Sequence, residues 1–239
     1  MDRRGGAKKT ALVVLLLMMW VFCSTVAAQV FVGVVMGLLL GPKLLEPVWN
    51  GICTALSYAI TLALVILVPP RINAKCFPVS SREQLGLSGW PTWTDIGLSP
   101  IGYFVTAFVA SGLLWIFSLM PWFDANEVQD LGYTTFMSAP EKIIAFLALV
   151  VIAPIAEEVI FRGWLYGKMR ARLNAPIAVI LVSLLFALLH FQWNVGVTVF
   201  VLSVVLCVMR EVTGTIYAGI LTHMIQNGVA FYMLYVAGM

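Results

Sequence analysis

The chain has 239 residues, of which 62% are hydrophobic and only 10% are charged, whereas an ordinary soluble domain carries about 25% charged residues. This composition excludes a soluble globular protein. It predicts an all-α fold, a polytopic bundle of about seven to eight transmembrane helices whose main partner is the lipid bilayer. No basic tract is interleaved with aromatic residues, so no nucleic acid partner is expected. The four cysteines form no Cys-x-x-Cys pair of the kind that binds zinc.

The first ten residues are polar and basic and are expected to be cytosolic, and segment 11–140 is expected to hold the N-terminal transmembrane helices and their loops. Apolar run 11–40 predicts a first helix of about 45 Å, which must tilt or protrude because the hydrocarbon core is only ~30 Å thick. A basic start before an apolar run also fits a secretory signal, with 26–28 as its cleavage site. The hydrophobicity continues well beyond residue 28, which favours an uncleaved helix.

Six further spans follow in chain order, and Pro69-Pro70 is expected to close the first of these. They are predicted at 49–68, 96–119, from 141 onward, 176–191, 195–209 and 215–236, with polar connections at 71–94 and 120–140. If the N-terminus is cytosolic, all 14 Lys and Arg residues except Lys43 and Lys142 fall on the inner side. The compact, loop-poor chain is typical of a protein of the bacterial inner (plasma) membrane.

Three charged residues, Glu157, Glu158 and Arg162, interrupt the apolar fourth span. A charge at the bilayer centre costs roughly 3 kcal/mol, so three charged residues within six positions indicate a structural or catalytic role. Glu158 and Arg162 are four residues apart and can pair on one helix face, whereas Glu157 points about 100° away. Either the group is an interfacial salt bridge at a helix end, or Glu157 is a free carboxylate held in place for chemistry.

Both histidines of the chain, His190 and His223, also lie in apolar runs. Phe186 lies one turn before His190, and Asn227 lies one turn after His223 on the same helix face. Each histidine taken alone could be a packing residue. Because each polar group is costly in lipid, we expect them to face one cavity shared with Glu157. A glutamate can take a proton from water, and histidines can orient that water, bind a metal or stabilise an oxyanion.

Other hydrolase patterns are missing from the sequence. It contains no His-Glu-x-x-His zinc helix and no Gly-x-Ser-x-Gly, and no aspartate lies in the middle of a predicted span. A glutamate-based site is therefore favoured over a serine or aspartyl intramembrane protease.

Three motifs in this order on separate helices resemble those of the CPBP family. The family comprises type II CAAX prenyl endopeptidases and bacteriocin-processing enzymes and is also called Abi. The motifs are Glu157-Glu158-x-x-x-Arg162, Phe186-x-x-x-His190 and His223-x-x-x-Asn227. Segment 82–87 is similar to a common family approach to the third span, and 141–239 is the expected CPBP catalytic core.

This resemblance implies an intramembrane endopeptidase with an active site reached from the cytosolic side. It implies that Glu157 is the general base that activates water and that His190 helps to hold this water. It assigns oxyanion stabilisation to His223 and Asn227. Structural support is expected from three residues, Glu158, Arg162 and Phe186.

The resemblance leaves the cofactor open, because the family has been described both as metal-dependent and as using a metal-free glutamate mechanism. If a metal is used, zinc or another divalent ion could bind Glu157, His190 and His223 and keep an open position, with Glu158 as the base.

The predicted spans place two of the site residues at different depths. Straight spans place Glu157 near the inner end of its segment and His190 near the outer end of its own.

Two other functions compete with proteolysis. A non-catalytic CPBP relative, such as a bacteriocin-immunity factor or membrane scaffold, would keep its phenotype when the catalytic residues are replaced. A small transporter would use Glu and His as a proton relay, although the chain lacks paired, Gly/Pro-broken helices in two related halves. The expected partner of the protease is a membrane-associated or leader-type peptide or protein, and its prenylation is left open.

Overall fold

A computed structural model describes residues 3–75, 77–127, 133 and 137–237, and within them the chain forms seven longer helices, one short 3-10 helix at Gly41–Leu45 and no strand. The helices are α1 Arg3–Leu40, α2 Pro47–Ile72, α3 Trp93–Phe117, α4 Ala139–Arg170, α5 Ala175–Leu188, α6 Trp193–Thr213 and α7 Tyr217–Tyr235. Five of them, α1 to α4 and α6, are long and apolar enough to cross a membrane, and α5 is a shorter apolar helix. The prediction of an all-α integral membrane protein is confirmed. Part of the predicted loop 120–140 lies outside the described residues.

The second helix extends further than predicted. α2 continues through Pro69 and Pro70 to Ile72, so the expected end at residue 68 is wrong. Two hydrogen bonds stabilise the helix end at and beyond the prolines. The N–H of Asn73 donates to the carbonyl of Pro69 over 3.0 Å, and the Arg71 guanidinium donates to the carbonyl of Leu67 over 2.6 Å.

The fourth helix is irregular around its charged residues. Two π-helical stretches, Leu147–Ile152 and Val159–Leu165, flank the short α-helical segment Ala153–Glu158. Pro154 explains the first stretch, because it has no N–H for the preceding turn and its ring clashes with the carbonyl four residues earlier. Single π-turns inside α-helices occur frequently at functional sites. Glu157 and Glu158 thus end a segment bounded by two changes of helical pitch.

The main hydrophobic core joins the two halves of the chain. Val14, Leu17 and Val21 of α1 and Val65 of α2 are buried in it. They pack with residues of α4, α5 and α6, among them Ile160, Leu165, Phe186 and Cys207. The N-terminal helices are therefore part of the framework that positions the charged residues of α4.

Segment 82–87 fixes the start of α7 against α4. A Cβ at Gly163 would lie only 2.8 Å from the carbonyl oxygen of Leu85. This close approach of the loop to α4 therefore requires glycine at position 163. The N–H of Ile216, one residue before α7, donates to the carbonyl of Gly86 over 3.0 Å. The loop before α3 thereby links the helix that carries Glu157 to the helix that carries His223.

Candidate active site

A cavity of about 540 Å³ opens among the helices, and all of the predicted catalytic residues line it. They are Glu157, His190, His223 and Asn227. The cavity wall also includes residues of α1, α2 and α3, among them Thr25, Tyr58 and Leu114. Straight spans would place Glu157 and His190 near opposite ends of their helices. In the structure α5 has only 14 residues and ends at Leu188, and His190 lines the same cavity as Glu157.

The carboxylate of Glu157 is held from two sides. The hydroxyl of Tyr58 on α2 donates to Oε1, and Nε2 of His223 on α7 lies 3.5 Å from Oε2. The side chain of Glu157 is 12% exposed, so it is largely shielded while still reaching the cavity. A carboxylate in this position can accept a proton from a water molecule in the cavity.

Glu158 points away from the cavity into a buried ion pair. Its Oε1 accepts a hydrogen bond from Nη1 of Arg162 over 2.8 Å and lies 3.1 Å from Nδ1 of His223. The side chains of Glu158 and Arg162 are 0% and 1% exposed, so the pair is buried within the protein rather than exposed at its surface. A Cβ on Gly219 would lie 3.0 Å from Oε2 of Glu158, so the missing side chain leaves room for this carboxylate.

His190 lies just beyond the end of α5 rather than within it, so the predicted helical end at residue 191 is wrong. Its backbone N–H donates to the carbonyl of Ala187, and Phe191 has a left-handed φ of 52°. The carbonyl of Phe186 instead pairs with Nδ1 of the His190 ring over 2.8 Å. Because a carbonyl only accepts, Nδ1 carries a proton, and a neutral His190 keeps Nε2 as an acceptor. The Phe186-x-x-x-His190 spacing thus fixes one tautomer.

Phe186 separates the two imidazoles and completes the wall. Its ring centroid lies 5.0 Å from that of His190 and 5.9 Å from that of His223, in both cases edge to face. The guanidinium carbon of Arg162 lies 4.6 Å from the same centroid, a cation–π distance. One buried aromatic ring therefore contacts all three of these groups and fixes their relative positions.

Asn227 satisfies a backbone carbonyl that the fourth helix cannot. The π-helical pattern would pair the carbonyl of Leu149 with residue 154, which is proline and has no N–H. The neighbouring N–H of Ala153 already donates to Ala148. The Asn227 side chain donates its Nδ2 to the Leu149 carbonyl over 2.9 Å. An amide nitrogen has two N–H groups, so the second one is left for another acceptor.

The three-ligand metal site anticipated for a metal-dependent mechanism does not form in this arrangement. Among the described residues, no three His, Cys, Asp or Glu side chains are grouped so that they could hold a metal ion. Both ring nitrogens of His223 contact glutamates, and Nδ1 of His190 is bound to Phe186.

Three residues at the site were missed from the sequence. Tyr58 was missed because one tyrosine in an apolar span is indistinguishable from a packing residue. Gln226 could have been found, because a polar amide between His223 and Asn227 is unusual in an apolar helix. It lines the cavity, and its buried Oε1 has no hydrogen-bond partner among the described residues. Gly219 carries no signal until Glu158 is placed beside it.

Comparison with known proteins finds one family model and one curated relative. The family model for type II CAAX prenyl endopeptidase Rce1-like proteins matches residues 138–229, a range that contains all three motifs. Residues 138–229 of this chain are therefore similar to Rce1-like proteins. The Rce1-like assignment confirms the CPBP resemblance drawn from the motifs.

A curated relative from Bacillus subtilis (strain 168), the uncharacterized protein YpbD, is 28% identical over 116 residues. The alignment covers 47% of this chain and 57% of YpbD, so the chain spans little more than half the length of this relative. No solved structure matches the chain significantly.

Proposed function

We propose that this integral membrane protein is an endopeptidase that hydrolyses peptide bonds in membrane-associated or leader-type peptides. The observation that carries the proposal is the position of Glu157. Its carboxylate lies 3.5 Å from His223 and lines a cavity with His190 and Asn227, inside the Rce1-like segment. This set combines a base, a water-orienting acceptor and an amide donor in one largely shielded space.

Glu157 acts as the general base. A water molecule in the cavity attacks the peptide carbonyl carbon, a C–O bond forms, and the proton released by the water passes to the Glu157 carboxylate. His190 orients this water, because the unprotonated Nε2 of its fixed tautomer accepts the second O–H. The carboxylic acid of Glu157 then gives its proton to the leaving nitrogen as the C–N bond breaks.

The tetrahedral intermediate places negative charge on the former carbonyl oxygen. Asn227 supplies a donor to this oxygen through the N–H that is not engaged with Leu149. A donor of this kind is worth about 3–4 kcal/mol in a site from which water is largely excluded. His223 lies between the two glutamates, where it contacts the carboxylate of Glu157 with one ring nitrogen and that of Glu158 with the other.

The buried ion pair is proposed as the support of this arrangement. Arg162 neutralises Glu158, and Glu158 in turn accepts from Nδ1 of His223, so the imidazole is fixed at the nitrogen that faces away from Glu157. A pair of charges in the interior is costly unless both partners are hydrogen-bonded. Here the pair also orients a ring that contacts the proposed base.

We place the protein in a bacterial plasma membrane with its N-terminus in the cytosol. The Lys and Arg residues support this orientation, because they lie almost wholly in segments that would be cytosolic. The similarity to a Bacillus protein supports a bacterial membrane. The substrate then reaches the cavity from the cytosolic leaflet.

The proposal is tested with the full chain in lipid nanodiscs and three quenched-fluorescence peptides: a farnesylated CAAX peptide, its unprenylated counterpart and a leader-type peptide with a hydrophobic segment. We expect wild type to cleave at least one, Glu157→Gln to cleave none, and Glu211→Gln, at an exposed ion pair, to match wild type. Mapping of new peptide termini in membranes from cells that express each variant extends the test to natural substrates. Equal products from wild type and Glu157→Gln would contradict the proposal.

A phenotype that survives Glu157→Gln would instead favour a non-catalytic relative. Proton-coupled solute flux into liposomes without cleavage would favour a transporter.

A further inference from the structure

The hydroxyl of Tyr58 donates to Oε1 of Glu157 across the contact between α2 and α4. Tyr58 lies 99 residues before Glu157 and outside the Rce1-like match at 138–229. It also lines the cavity that contains the proposed catalytic residues. From this contact we infer that Tyr58 is a positioning residue for the general base, an inference that rests on the function proposed above.

The face of α2 that carries Tyr58 is built for close contact. Gly51, Tyr58, Thr61 and Val65 are spaced seven, three and four residues apart and therefore lie along one side of the helix. Thr61 and Val65 are 2% and 0% exposed, and Gly51 is also buried. A Cβ at Gly51 would approach Cγ2 of Ile144 to 2.7 Å, so glycine there lets α2 lie directly against α4. This packing brings the phenol within reach of Glu157.

The Glu157 carboxylate needs two constraints to keep one orientation. A glutamate side chain has several rotatable bonds, and a single contact with His223 leaves the carboxylate free to turn about that contact. Tyr58 holds the other oxygen from the opposite helix, so Oε1 and Oε2 are fixed by α2 and α7, respectively. A base fixed in this way presents a defined lone pair to the attacking water, which favours reaction over mere binding.

The contact also accounts for the phenol itself. A buried hydroxyl without a partner is unfavourable, and a phenylalanine would fill the same volume without this cost. The ring therefore serves the packing of α2, and the hydroxyl serves Glu157. Tyr58→Phe separates these two roles, because it removes the donor and keeps the ring.

We expect Tyr58→Phe to lower kcat by about 10- to 100-fold, because small displacements of catalytic groups have effects of this size. KM should stay within about twofold of wild type, because the hydroxyl contacts the base rather than the peptide. Tyr103→Phe on α3 is the matched control, since it deletes the same hydroxyl at a residue outside the cavity lining and should leave both constants unchanged. A Tyr58→Phe protein with wild-type kcat would overturn the inference.

A double-mutant cycle distinguishes positioning from general destabilisation. Glu157→Asp shortens the side chain by one methylene and withdraws it from the Tyr58 hydroxyl. In this background Tyr58→Phe should change kcat by less than about twofold, because the two residues act as one unit. Equal losses in both backgrounds would show that Tyr58 acts through the fold rather than through Glu157. Thermal unfolding in detergent checks that each variant is folded.

The closing experiment does not depend on a substrate. 3-Fluorotyrosine is incorporated at position 58 of the full chain in nanodiscs, and its ¹⁹F resonance is recorded. We expect Glu157→Gln to shift this resonance and Glu46→Gln, an exposed residue before the same helix, to leave it in place. A resonance that ignores Glu157→Gln would contradict the contact and the inference. If the contact is present but wild type cleaves no peptide, the proposed function fails, and with it the role of Tyr58.

Discussion

Asn227 donates its side-chain amide to the backbone carbonyl of Leu149, 2.9 Å away, and so replaces a hydrogen bond that Pro154 cannot make. The last helix is thereby attached to the irregular part of the helix that carries the proposed base. This relationship gives the His223-x-x-x-Asn227 spacing a structural role beside the catalytic role proposed for it. Histidine contacts the glutamates, while the asparagine one turn later fixes the preceding π-helical stretch.

Replacing Asn227 by Ala removes the side-chain donor to the carbonyl of Leu149, a half-buried residue that lines the cavity, which should reduce the free energy of unfolding by about 1 kcal/mol. In a Pro154→Ala background the same replacement should be milder, because residue 154 then supplies an N–H close to that carbonyl. Pro140→Ala, near the start of α4 where proline is tolerated, is the control background. Unfolding measured in mixed micelles tests the coupling. An identical loss from Asn227→Ala in all backgrounds would contradict it.

The buried ion pair should be far more sensitive to mutation than the exposed one. Glu158→Gln leaves Arg162 as an uncompensated buried charge and should destabilise the fold by about 3–5 kcal/mol. Glu211→Gln breaks the pair with Arg170, in which both side chains are 36% exposed, and should have little effect. Thermal unfolding of the two variants in the same detergent makes the comparison. Equal unfolding temperatures would show that the pair does not support the site.

Gly219 should resist substitution because Glu158 occupies the space of its absent side chain. Gly219 and Gly228 both lie within α7, so replacing either by alanine raises helix propensity by a similar amount. The difference in stability between the two variants therefore reports the contact with Glu158. A Cβ at position 219 would lie 3.0 Å from Glu158 Oε2, whereas one at 228 has its nearest neighbour at an ordinary 3.6 Å. We expect Gly219→Ala to be less stable than Gly228→Ala by about 1–3 kcal/mol. Equal stabilities would mean that Glu158 shifts without strain.

His190→Ala should affect catalysis more than folding. Loss of the nitrogen that is proposed to orient water should lower kcat by about 10²- to 10⁴-fold. Loss of the bond to the Phe186 carbonyl should reduce the free energy of unfolding by only about 1 kcal/mol. Phe191→Ala changes an exposed neighbour in the same turn and should retain activity. Peptide cleavage and thermal unfolding are measured on both variants. Near-normal cleavage by a folded His190→Ala protein would remove His190 from the mechanism.

The sequence predicted features that depend on local spacing. The pairing of Glu158 with Arg162 follows from their separation of four residues. The gathering of Glu157, His190 and His223 in one cavity follows from the cost of polar groups in lipid. Helix number and type followed from hydropathy, which is the strongest signal in a membrane protein.

The remaining features depend on contacts between distant segments or on backbone detail. Tyr58 could not be singled out, because its contact with Glu157 joins two helices that the sequence does not orient relative to each other. The π-helical stretches leave no trace in an apolar run without periodicity, although Pro154 marks the location of the first. The end of α5 before His190 was missed because apolar residues continue past the point at which the backbone turns.

The central claim is that Glu157 activates water rather than attacking the peptide itself. The most direct measurement is a single turnover in H₂¹⁸O, with enzyme in excess over a cleavable peptide, followed by mass spectrometry of the product and of the enzyme peptide that contains Glu157. The mechanism predicts one ¹⁸O atom in the new C-terminal carboxylate of the product and none in Glu157. An unlabelled product together with ¹⁸O in Glu157 would contradict it, because that pattern requires an acyl-enzyme formed on the glutamate.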